Sequence, residues 1–108
     1  MDLEDQHARR DALKREYGRL YSRVAAILFE EDPVGINLDD NSDEYEPETD
    51  TILPRLKVCR TDQDVRSVVH EEFVRWFSAD IAGRPERYNR VAKRIWAEIS
   101  ALVPRNAG

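Results

Sequence analysis

The sequence predicts an all-α protein, a compact bundle of about four helices with a long acidic loop between the first and second. Three observations predict it. Apolar residues recur at three- and four-residue spacings in four segments, as on helices that each bury one face. Prolines and glycines fall mainly between those segments, where helices end and begin. Acidic residues gather in one interruption, Glu30–Asp50, which holds ten of the 22 acids and no Lys or Arg. The 108 residues suit one domain, 1–108, with one modest core, and the first ~10 and last ~5 are expected to fray. Charged residues are 36%, but the 41% that are hydrophobic lie in periodic runs, so the composition is that of a folded chain.

The first helix is expected over Leu3–Glu31, with Leu13, Tyr17, Leu20, Tyr21, Val24, Ile27 and Leu28 on its inner face. Arg15, Arg19 and Arg23 form a basic stripe beside that face, the usual solvated flank. Asp32-Pro33 ends the helix, because the residue before proline is pushed out of the α region. Val34, Ile36 and Leu38 then offer apolar side chains that would hold an otherwise acidic loop against the bundle.

A second helix should start near Asp43 to Pro47, capped by Ser42 or Asp43, with Tyr45, Thr49, Ile52, Leu53, Leu56 and Cys59 facing inward. Pro54 should bend or split it, since proline removes a helical hydrogen bond. In the third, Thr61 is the N-cap and Asp64 stands where a capping box carries Glu or Gln. Val65, Val68, Val69, Phe73, Trp76 and Phe77 make its inner face. Pro85 opens a fourth, whose inner face is Tyr88, Val91, Ala92, Ile95, Trp96, Ile99 and Leu102.

Composition also restricts function. No apolar run approaches the roughly 18 residues of a membrane span, and the N-terminus lacks a signal-peptide layout, so a cytoplasmic protein is expected. Cys59, the only cysteine, cannot form an internal disulfide. His70-Glu71-Glu72 puts a histidine beside two carboxylates, but neighbours on a helix diverge, and Val74 occupies the second histidine position of a zinc-protease motif. No catalytic triad order or phosphate-binding glycine loop is present, so the protein reads as no enzyme and without a cofactor.

The formal charge of −5 conceals an asymmetry: Glu30–Asp50 carries −10, and the 12 acids and 17 bases outside it leave +5. Such a dipolar distribution can steer a charged partner, or it can fold its acids back onto its own bases. Arg84, Arg87, Arg90, Lys93 and Arg94 enrich the fourth helix, yet overall acidity disfavours nucleic acid. Their simplest roles are a solvated face or internal pairing with the acidic loop.

The stretch DPVGINLDDNSDEYEPE, with TILPRL and VHEEFVRWF after it, resembles small uncharacterised bacterial proteins, similar to a Bacillus family of unknown function. Asp32, Pro33, Gly35, Asp43, Glu44, Tyr45 and Glu48 carry the resemblance, which covers Ile27 to Phe77. It implies a helical fold and brings no activity, ligand or catalytic residue.

The expected function is therefore a non-enzymatic interaction module that presents Asp32, Asp39, Asp40, Asp43, Glu44, Tyr45, Glu46 and Glu48 to a protein with a basic surface. Toxins and nucleases are partners of that kind, and small acidic immunity proteins or antitoxins are analogues by size and charge. Tyr45 would be the aromatic anchor. The alternative is a cation- or ligand-binding domain using the Asp39–Asp50 loop. Asp39, Asn41 and Asp43 fall at positions 1, 3 and 5 of a twelve-residue calcium loop, with Glu46 as a further oxygen donor. Against it, Glu44 stands where that loop needs glycine, and Asp50 where it needs a longer Glu. Self-association through surplus apolar surface on the third and fourth helices is compatible with either.

Overall fold

The computed structural model describes residues 3–35 and 45–102, with only the backbone of Leu3, Glu4, Gln6 and Leu102. Among the described residues it is helical and without strands. Six α-helices occur: α1 Leu3–Tyr17, α2 Arg19–Glu31, α3 Glu46–Ile52, α4 Asp62–Phe77, α5 Ala79–Ala82 and α6 Asn89–Leu102. Two 3₁₀ helices, Leu53–Val58 and Pro85–Tyr88, lead out of α3 and into α6. The count thus exceeds the four expected, and the span 36–44 that the acidic loop would fill lies outside the described residues.

The first expected helix is two, broken at Gly18. Its φ of 52° and ψ of −124° lie in a region that a Cβ excludes, so only glycine turns the chain there without strain. Gly18 N–H closes α1 by donating to Lys14 O at 2.8 Å. The break separates a mostly exposed helix from a buried one: among its described side chains α1 buries only Leu13, whereas α2 buries Tyr21, Val24, Ala25, Ile27 and Leu28.

The second expected helix splits at its proline. Pro54 lies in the first turn of the 3₁₀ helix, where its missing N–H breaks no bond. Ile52, Leu53 and Leu56 go into the core and Cys59 is half-buried. At its start the cap position is Tyr45, which makes no side-chain capping bond; the expected caps Ser42 and Asp43 lie outside the described residues. The Thr61 cap forms as a reciprocal box: Asp64 N–H donates to Thr61 Oγ1 at 3.1 Å, and Thr61 N–H to Asp64 Oδ2 at 3.2 Å.

Helix α6 packs against both α4 and α2. Val65, Val68, Val69 and Phe73 from α4 meet Tyr88, Val91, Ala92 and Ile95 from the last segment and Ile27 and Leu28 from α2. Phe73 is the hub, its ring 5.9 Å from Tyr45, 5.6 Å from Phe77 and 5.2 Å from Tyr88. Trp76 corrects the expected inner face of α4. It is 45% exposed, and its indole N–H donates to Thr51 Oγ1 at 3.0 Å.

Candidate functional site

The acidic stretch is described at its two feet, and each is built by ordinary helix chemistry. The first is the end of α2. Asp32 takes the left-handed conformation, φ 47°, and its N–H donates to Leu28 O at 2.8 Å, a C-cap that Pro33 then makes final. Arg94 of α6 forks over this end, Nη2 at 2.7 Å from Glu30 and Nη1 at 3.0 Å from Glu31. Arg87 Nη1 donates to Pro33 O at 3.3 Å and to Ile81 O at 2.9 Å. That guanidinium fits because Gly83 has no Cβ, which would sit 2.7 Å from Arg87 Cζ.

The second foot is the start of α3. Glu46 lies 3.4 Å from both Arg10 and Lys14 of α1. Asp50 accepts from Arg10 Nε at 2.9 Å and from the Tyr21 hydroxyl at 2.6 Å. Burial and the Asp50 carboxylate push the Tyr21 hydroxyl far above the usual phenol range. The two feet also meet directly, since the Tyr45 hydroxyl donates to Asp32 Oδ1 at 2.6 Å. This clasp closes the segment 33–44 at its base.

Of the eight residues expected to face a partner, four are thus placed: Asp32, Tyr45 and Glu46 are engaged within the fold and Glu48 is buried. Asp32 receives the Tyr45 hydroxyl and Glu46 is paired with α1. Tyr45 is 0% exposed and packs on Phe73, so its ring is core, because an apolar ring beside that cluster is more stable out of water. Glu48 is 4% exposed and its Oε1 has no hydrogen-bond partner. Burial pushes that carboxyl up to about 7, opposed by a hydrogen bond from its own backbone N–H and by Arg10 and reinforced by nearby Asp50. Asp39, Asp40, Asp43 and Glu44 lie outside the described residues, as does the alternative cation set Asp39, Asn41 and Asp43. Among the described residues no three His, Cys, Asp or Glu side chains are grouped to hold a metal.

The other sequence candidates are dispersed. His70 Nε2–H donates to Gly83 O at 2.8 Å, and its ring lies 5.7 Å from Tyr88. Glu71 and Glu72 turn instead to Arg55, at 2.6 and 2.8 Å. The basic face of α6 is partly consumed internally, as Arg94 shows, and Arg90 Nε lies 4.0 Å from Glu31. Two features had no local signature in the sequence: the Asp32–Tyr45 clasp, spanning 13 residues, and the burial of Glu48. No described helix is long and apolar enough to cross a membrane. No protein-family model, curated protein or solved structure matches the chain.

Proposed function

We propose that this chain is a non-enzymatic protein-interaction module whose segment 39–44 meets a basic surface on a partner such as a toxin or nuclease, in the manner of an immunity protein or antitoxin. The observation that carries this reading is the clasp between Tyr45 and Asp32, with acids of both feet paired to Arg94, Arg10 and Lys14. Closing a loop at its base removes much of the chain entropy that docking would otherwise have to remove, which favours a binding role. Of the ten acids in the stretch, the feet contain six, and Asp39, Asp40, Asp43 and Glu44 stand between the feet. Four like charges in six residues would accelerate encounter with a cationic patch and make it sensitive to salt.

The test is affinity capture from lysate of the source organism by the wild type and by the Asp43→Lys/Glu44→Lys variant, followed by titration of the captured protein. The expected result is a basic protein retained by the wild type alone, with affinity falling as salt rises and helicity equal in both chains. Capture of the same proteins by both, with helicity intact, refutes the reading. A calcium-dependent rise in melting temperature would instead assign the segment to a cation.

A further inference from the structure

We propose that the cleft between the first turns of α4 and the start of α6 binds a small oxyanion, a carboxylate or phosphate group, through Arg66 and Lys93. The cleft is open to solvent, has a volume of about 220 Å³ and is lined by Asp62, Gln63, Arg66, Asn89, Ala92 and Lys93. That is several times the roughly 30 Å³ a water molecule occupies in the liquid, enough for such a group and its substituent.

The arginine forks of this fold show what is missing here. Arg10 is held by Glu46 and Asp50, Arg55 by Glu71 and Glu72, and Arg94 by Glu30 and Glu31, so each guanidinium meets two carboxylates. Arg66 is half-buried and meets only an amide: its Nη1 donates to Asn89 Oδ1 at 3.0 Å. Among the described residues neither Arg66 nor Lys93 forms an ion pair. Arg66 Nε is buried and has no hydrogen-bond partner. Nε and Nη2 together form the edge that makes two parallel bonds to one oxyanion, and the Asn89 bond fixes the plane in which that edge lies. Because Nε is shielded from water, an oxyanion in the cleft bonds this edge only once the Arg66 side chain shifts to admit it, and the bond then removes the deficit of an unpaired buried donor.

The cleft also selects. Arg66 and Lys93 against Asp62 leave one net positive charge, which matches a singly charged group. Asp62 disfavours a bare dianion and accepts from a hydroxyl or ammonium next to the anionic group of the ligand. The proposal is independent of the role of segment 39–44.

The experiment is titration of the full chain with sodium phosphate and, separately, sodium acetate, at ionic strength held constant with sodium chloride. It is read from backbone N–H and arginine Nε–H resonances. In the wild type, saturable shifts are expected at Arg66 Nε–H and at Gln63, Asn89 and Lys93. Arg66→Lys keeps the charge without the planar edge and should bind about tenfold more weakly. Lys93→Gln, at an exposed position, should weaken binding by about threefold, and Asp62→Asn should tighten it. Those two variants carry the test if Arg66→Lys fails to fold. Saturation by phosphate alone assigns a phosphate ligand, and saturation by acetate alone a carboxylate. Identical shifts with chloride, or unchanged affinity in the variants, overturn the proposal.

Discussion

Glu48 provides the sharpest test of the physical reading, because its burial sets both a magnitude and a sign. Glu48 and Glu72 are both buried acids, but Glu72 lies 2.8 Å from Arg55 while Glu48 Oε1 has no partner. Its carboxyl moves from an ordinary 4.5 to about 7 in the fold. At about 1.4 kcal/mol per pH unit the upper bound is roughly 3.5 kcal/mol, and relaxation of the surroundings around the charged form reduces it to about 2 kcal/mol. A raised folded-state value means that the folded chain holds a proton the unfolded chain has lost. Stability is therefore fully present below 4.5 and is lost as pH rises through about 7, after which it levels. Glu48→Gln removes the titration. Urea unfolding of both chains from about pH 5 to about pH 8 should show curves that diverge, the variant gaining about 2 kcal/mol at the alkaline end. Other titrating groups are common to both chains and cancel in the difference. Parallel curves would refute the claim that the burial of Glu48 outweighs its backbone hydrogen bond and the nearby Arg10.

Two further substitutions test the fold. Trp76→Ala should destabilise by about 1 kcal/mol, the loss of a half-exposed ring and its bond to Thr51, whereas Phe73→Ala should cost about 3–5 kcal/mol. Equal losses by urea denaturation would place Trp76 in the core. Gly18→Ala should destabilise by about 1–3 kcal/mol through backbone strain alone, because the site has open space for a Cβ. A gain of about 1 kcal/mol in the same assay would instead mean that α1 and α2 form one continuous helix.

Features set by neighbouring residues were legible in the sequence. Asp32-Pro33 stops α2, Thr61 and Asp64 cap α4, Pro54 splits the second helix and Pro85 opens the last helical segment. Each is a short-range consequence of a missing N–H or a side-chain acceptor. The Gly18 break was not legible, since a lone glycine within a periodic run is also tolerated inside a helix. Nor was the outward turn of Trp76, which sits at the edge of the apolar stripe, where a small rotation of α4 decides exposure. Tyr45 fitted two roles, inner face and partner anchor, and Phe73, 28 residues away, decides between them by offering a ring to pack on. The candidate site was the least legible part. Charge counting found the acidic stretch, but only long-range pairing shows that Arg94 and Arg10 pair with the acids at its ends.

This division determines where function can be tested without disturbing the fold. Substituting Glu46, Asp50 or Asp32 strips a partner from Arg10, Lys14 or the Tyr45 hydroxyl, and substituting Tyr45 opens the core beside Phe73. Loss of binding in any of those variants would report loss of structure, because leaving a part-buried partner unpaired destabilises more than the pair contributes. Glu48 is separable in the opposite direction, since neutralising it should stabilise the chain at alkaline pH while leaving the clasp in place. A binding defect confined to Asp43→Lys/Glu44→Lys, with Glu48→Gln binding normally, would therefore assign recognition to the charges between the feet. The reverse pattern would assign it to the α3 foot.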